Sequence, residues 1–287
     1  MKDKNVKMQT AFKSKEGKNE VLKYYESIIN ESGVSHEEFY IETTYGKTFI
    51  IANGEKDLPP LVLLHGSGMN SVMWIKEMEK YSENYRVYAI DMPGEPGKSI
   101  ETQLSFVGDD LSNWLKDVFE ALSIEKSSIV GISLGAWLGV KFSIKYPQKV
   151  NKLALLCPAG IGPQKKSFIF KSLFYMLLGE RGIDKLYYRI NGGKLIPQVM
   201  LNYQKLIAKH FNFRKETIPI FRDEEILKLT MPVAVFVGGK DIMLHSEKTS
   251  KRLKSLLGHA KVNFFPNEGH SLINQGDEIR KFLNEDI

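Results

Sequence analysis

The sequence predicts an α/β protein with a mostly parallel central sheet flanked by helices and one helical insertion. Three observations predict it. Short apolar runs alternate with helical patterns along most of the 287 residues. One run, beginning at Ser128, passes through Gly131-Ile132-Ser133-Leu134-Gly135 directly into a helical pattern. The alternation then stops over residues 161–228, where only helical segments occur, and resumes afterwards. Strands alternating with helices pair in parallel and are covered on both faces.

Residues 1–16 read as a frayed leader. Over 17–32, Val21, Leu22, Tyr25, Ile28 and Ile29 recur at helical spacing. Residues 38–52 read as a hairpin whose turn is Tyr45-Gly46, with Tyr40, Thr44 and Phe49 among its strand formers. A polar link covers 56–60. Leu61-Val62-Leu63-Leu64 is short and without alternation, as in a strand buried on both faces, and it runs into His65-Gly66-Ser67-Gly68. A helix is expected near 74–81 and a strand over 85–90. The Gly/Pro-rich loop from Asp91 to Ser99 comes next, then a helix over 106–122. A strand over 150–156 ends at Cys157-Pro158-Ala159-Gly160. After the insertion come a strand at 233–237, a helix at 245–257, a strand at 262–265 and a terminal helix from Ser271. The domains expected are a leader and helix over 1–35, a core over 36–160 and 229–287, and a helical cap insertion over 161–228. The insertion is rich in aromatics and Met, among them Phe168, Phe170, Phe174, Tyr175, Met176, Tyr203, Phe211 and Phe213. Those of the segment from Phe168 to Leu178 either line an acyl pocket or a membrane-facing lid, or bury the insertion against the core.

The net charge of +6 is concentrated at one end. Residues 1–18 hold six Lys and two acids, so the remainder is nearly neutral. That distribution suits solubility rather than a groove for phosphates, and no nucleic-acid motif occurs. Gly97-Lys98-Ser99 is not a phosphate loop, because Met92 stands where the first glycine would be needed. The single cysteine, Cys157, rules out an intramolecular disulfide and fits a reducing compartment. Residues 1–10 lack an apolar core, so no signal peptide is read, and no apolar run reaches membrane-spanning length. The expectation is a cytoplasmic protein without an integral membrane segment.

Active sites of such sheets gather beyond the carboxyl ends of the strands. Ser133 stands at such an end, on an abrupt strand-to-helix turn, with the Leu134 amide beside it at a helix N-terminus. The plainer alternative is a serine that caps a helix. A serine hydroxyl needs a base, and the base needs an acid to orient it. Of six histidines, His270 follows the last strand and is the candidate base, whereas His65 lies in a Gly-rich loop and suits a structural role. Asp241 ends Val237-Gly238-Gly239-Lys240-Asp241 and is the candidate acid, its alternative being a helix cap. Residues 151–179 contain no acid, which leaves Glu268 as the rival. The oxyanion of a tetrahedral intermediate would take the amides of Leu134 and Ser67, with Gly68 or Met69 as alternatives to Ser67. Losing one such donor costs about 3 kcal/mol of transition-state stabilisation.

His65-Gly66-Ser67-Gly68, Asp91-Met92-Pro93-Gly94, Gly131-Ile132-Ser133-Leu134-Gly135, Tyr146-Pro147, Gly238-Gly239-Lys240-Asp241 and Gly269-His270 together resemble the α/β-hydrolase fold family, from about residue 36 onward. The overall pattern looks most like its Bacillus-type carboxylesterases. The resemblance implies a Ser-His-Asp triad, no cofactor, no metal, and a cap between strands six and seven. It implies a serine hydrolase, a carboxylesterase acting on small to medium apolar small-molecule esters. The alternatives on the same triad are a C–C bond hydrolase, lactonase, thioesterase or amidase, or a ligand-binding receptor without turnover. Ser133 in place of an aspartate disfavours dehalogenase and epoxide hydrolase chemistry. Met69-Asn70-Ser71 and Ser271 depart from the pattern of the C–C hydrolases.

Overall fold

The architecture comes from a computed structural model that describes residues 10–272 and 275–285. Its strands are β1 (Glu37–Thr43), β2 (Gly46–Asn53), β3 (Pro60–Leu64), β4 (Arg86–Ile90), β5 (Ser127–Ile132), β6 (Val150–Leu156), β7 (Val233–Gly238) and β8 (Lys261–Phe265). They form one sheet in the order β1-β2-β4-β3-β5-β6-β7-β8. The β1–β2 and β2–β4 pairs are antiparallel, and every pair from β4 to β8 is parallel. The mostly parallel α/β sheet expected from the alternation is therefore present.

Alternate residues of β3 serve two cores. Leu61 and Leu63 join the cluster packed with α1 (Lys15–Glu31), α2 (Ile75–Tyr81) and α10 (Gly276–Asn284). Val62 and Leu64 join the cluster packed with α3 (Asp110–Ala121), α4 (Leu134–Lys145) and α9 (Ser246–Leu256). A strand with both faces buried has no polar side to alternate with, which is why β3, β5 and β7 read as unbroken apolar runs.

Between β6 and β7 lie α5 (Ser167–Leu177), α6 (Gly179–Ile190), α7 (Gln198–His210) and the single turn α8 (Asp223–Ile226). Tyr203 and Phe211 are buried here, in the same cluster as Leu61 and Leu63. The face of α5 is different: Phe170 is 74% and Leu177 87% exposed, with Leu173 and Phe174 exposed beside them. Tyr175 of that helix is buried.

Four sequence expectations need correction. Residues 10–14 are not frayed: Ala11 and Phe12 are buried, and Phe12 bridges Phe211. Ser14 then caps α1 by accepting the Gly17 amide. The rest of the expected leader, residues 1–9, lies outside the described residues. The hairpin turn falls at Thr44 and Tyr45, because Gly46 already pairs with Thr43. The helix expected from Phe106 begins at Asp110, since the Phe106 amide donates to Glu216 instead. The terminal helix begins at Gly276 rather than Ser271.

Candidate active site

Strands β5, β6, β7 and β8 are consecutive parallel neighbours. Ser133, Cys157, Asp241 and His270 follow their carboxyl ends, so four loops converge on one edge of the sheet. Ser133 sits at φ 53°, ψ −108°, a backbone conformation that disfavours a side chain. Its amide donates to Leu156 O at 2.9 Å, and its carbonyl accepts Trp137 N at 3.0 Å to start α4. The turn is possible because Gly131 and Gly135 pack backbone on backbone. A Cβ on Gly131 would come within 2.5 Å of Gly135 O, and one on Gly135 would collide with Leu64 O. Ser133 is half-buried, and among the described residues its hydroxyl makes no hydrogen bond. Such bonds are often loose before substrate binds.

His270 Nδ1 lies 2.7 Å from Asp241 Oδ2 in a buried pair. The other oxygen of Asp241 accepts the amides of Met243 at 2.6 Å and Leu244 at 2.9 Å. Asp241 is thus held by backbone on one side and faces the imidazole with the other. It does not cap α9, whose N-cap is His245. Burial opposes the charge on His270, but the Asp241 carboxylate outweighs it and raises the imidazole pKa to about 10. Burial likewise opposes the Asp241 charge, yet His270 and the two amides hold its pKa below the ordinary value. The rival Glu268 is instead ion-paired with Lys194.

Cys157 Sγ lies with a nitrogen of His270 and an oxygen of Asp241 inside a 4.8 Å group. These are metal-ligand residue types, but burial pushes the thiol pKa up and so disfavours a thiolate ligand. Cys157 also has a positive φ of 41°. It occupies the strand end at which the sequence carries no acid.

The loop after β3 is built around His65. Its Nδ1 lies 2.9 Å from Gly66 O, and its Nε2 accepts Met92 N at 2.9 Å. Burial lowers its pKa, in keeping with a neutral ring that donates from Nδ1. Its role is structural, as its position in the sequence implied. The Met69 amide donates to Gly66 O at 3.3 Å, and the Gly68 amide to Glu95 Oε2 at 2.7 Å. Ser67 is exposed, and among the described residues its amide has no partner. Of the three candidates in this loop, only Ser67 offers an unused N–H. The Leu134 amide opens α4, where N–H groups have no partner within the helix.

Glu95 and its partner Arg214 were not picked out in the sequence. The available signal was a lone acid inside Pro93-Gly94-Glu95-Pro96-Gly97, a strand-end loop too compact to leave that side chain in water.

Residues 59–182 match the family model described as the alpha/beta hydrolase fold. The chain is 30% identical over 285 residues to the uncharacterized carboxylesterase nap of Bacillus subtilis, covering 92% of this chain and 93% of that protein. The crystal structure of carboxylesterase CesB (YbfK) from Bacillus subtilis matches with a TM-score of 0.85 and 27% identity, over 95% of this chain and all of that one. The Bacillus subtilis naproxen esterase structure matches at 0.84 and 28%, over 95% of this chain and 100% of that one. The chain is a hydrolase of the serine type by fold and kinship. It belongs to the α/β-hydrolase fold family.

Proposed function

We propose that this chain is a carboxylesterase for small to medium apolar esters, working through Ser133, His270 and Asp241. His270 takes the Ser133 proton as the hydroxyl attacks the ester carbonyl. The amides of Ser67 and Leu134 bind the oxyanion. The imidazolium then protonates the leaving alcohol, and the acyl group stays on Ser133 as an ester. Water, deprotonated by His270, attacks that ester and releases the acid. Asp241 orients the ring through Nδ1, which turns Nε2 toward the nucleophile, and stabilises the imidazolium.

The observation that carries the reading is the buried 2.7 Å His270–Asp241 pair, on the same sheet edge as a serine at positive φ. Relatives named as carboxylesterases support the ester bond as the one cleaved. The apolar residues of α5, which follows the β6 loop beside Ser133, support an apolar acyl or alcohol group.

The same reading divides the chain into a core over 36–160 and 229–287 and a cap over 161–228, with α1 joined to both. We place the protein in the cytoplasm, since its one thiol suits a reducing compartment. Among the described residues no helix is long and apolar enough to cross a membrane.

The test is labelling by a fluorophosphonate probe together with turnover of p-nitrophenyl acetate and butyrate. Wild type should label and turn over repeatedly, and Ser133→Ala should do neither. Normal ester turnover by Ser133→Ala would sink the assignment. A panel with thioesters, lactones and C–C substrates should rank esters first.

A further inference from the structure

Glu95 leaves β4 in the loop beside the candidate oxyanion site and is 2% exposed. One of its carboxylate oxygens accepts the Gly68 amide at 2.7 Å. The other accepts Arg214 Nε at 3.0 Å. Arg214 also donates to Leu104 O at 2.6 Å and Pro93 O at 2.9 Å, and its guanidinium lies 4.9 Å from the centre of the Phe106 ring. All of its nitrogens are engaged within the fold. The preceding residue closes on the same loop: Gly68 has φ +69°, and a Cβ there would come within 2.5 Å of the Phe213 ring. Residues 213 and 214 belong to the insertion, just beyond α7, so the insertion holds the loop after β3 from outside.

A buried carboxylate is costly unless paired. Burial pushes the Glu95 pKa up, and Arg214 and the Gly68 amide pull against it. A neutral side chain would fill the space at less cost. What the charge adds is a strong acceptor aimed at one amide. That amide adjoins Ser67.

We propose that Glu95, held by Arg214, is the positioning residue of the oxyanion hole, fixing the Ser67–Gly68 peptide so that the Ser67 N–H faces the oxyanion. This rests on the reading of Ser133 and Ser67 given above. Two peptide planes flank the Ser67 Cα. The first is fixed at Gly66 O by the Met69 amide and by His65. A trans peptide then turns the Ser67 N–H the opposite way. The second plane is fixed at the Gly68 N–H by Glu95. If that anchor is lost, Gly68 can turn and carry the Met69 amide away from Gly66 O, which loosens the first plane, so the donor is no longer in place before the reaction begins.

The experiment compares full-length wild type, Glu95→Ala, Glu95→Gln and the double variant Glu95→Ala/Arg214→Met. Each is measured on p-nitrophenyl butyrate and with an aryl trifluoromethyl ketone, whose adduct with Ser133 carries an oxyanion. Glu95→Ala should lower kcat about 10- to 100-fold and raise the ketone Ki by the same factor, with KM within about twofold. The acid limb of the pH profile should not move, because His270 and Asp241 are untouched. Glu95→Gln keeps an acceptor for Gly68 and should recover most of the loss. The double variant leaves no lone buried charge, so it guards against a failure to fold, and it should show the loss of Glu95→Ala. Wild-type kcat and Ki in a folded Glu95→Ala or double variant would overturn the proposal. So would a loss that Glu95→Gln shares in full. Ser133→Ala runs alongside. Turnover by it would bring down the reading of the site and this proposal together, whereas an inert Ser133→Ala beside a fully active Glu95→Ala would bring down the proposal alone.

Discussion

As the proposed base, His270 meets two opposing demands. To take a proton it must be neutral, yet Asp241, 2.7 Å away, favours its charged form. Burial alone would lower its pKa, but Asp241 outweighs burial and moves it from 6.5 up to about 10. The acid limb of kcat/KM should therefore lie above pH 6.5, so that turnover rises with pH through neutrality. A limb at or below the ordinary imidazole value would contradict this. Asp241→Asn should shift the limb to lower pH and cut kcat about 10⁴-fold. Stability runs the other way. A raised histidine pKa stabilises the fold fully below about pH 6.5, and that contribution fades as pH climbs toward the folded value. The Tm gap between wild type and Asp241→Asn should accordingly narrow from pH 7 to pH 10. That Ser133, Asp241 and His270 stand at neighbouring strand ends was legible in the sequence, because each follows an apolar run. Glu95 was not, since its partner is the Gly68 amide. Backbone partners chosen by loop closure leave no trace in residue spacing.

Helices show the same division. Those packed on the sheet were legible from period alone, as with Val21, Tyr25, Ile28 and Ile29 on α1. On α5 the same kind of pattern left the role open, and Phe170, Leu173, Phe174 and Leu177 share a face that is exposed. Periodicity shows that a face is apolar and is silent on what covers it. Substitutions should separate the two cases. Phe211→Ala, at a fully buried ring stacked edge-on with Phe12 and Phe213, should cost about 3–5 kcal/mol in urea unfolding. Phe170→Ser should change stability by less than about 0.5 kcal/mol. A large loss from Phe170→Ser would mean that α5 lies against something in solution.

For the molecule as a whole, the order of the parallel strands decides where the proposed chemistry sits. Adjacent β5 to β8 present their carboxyl ends together, and the alternation of strand and helix was enough to foresee that. What the alternation did not disclose is how the insertion is fastened. It is tied to the core through Arg214 and to the N-terminal segment through Phe12, Tyr24 and Tyr25. Cys157 lies beside Asp241 and His270 and is 1% exposed. Its thiol pKa is raised by burial, so it should resist dithionitrobenzoate in native buffer and react only as urea opens the fold, with the same midpoint as the fluorescence change. Reaction well before that midpoint would reveal a local opening at the site.

The pairing of Phe12 with Phe211 and of Tyr24 with Tyr203 also bears on how the chain is made. A ribosome releases the first helix long before α7 exists. At about 5–20 residues per second, the apolar face of α1 waits roughly ten to forty seconds for its partner. Throughout that interval it is an amphipathic segment with only part of its native cover, of the kind a chaperone at the exit tunnel would shield. An element made early is thus completed late.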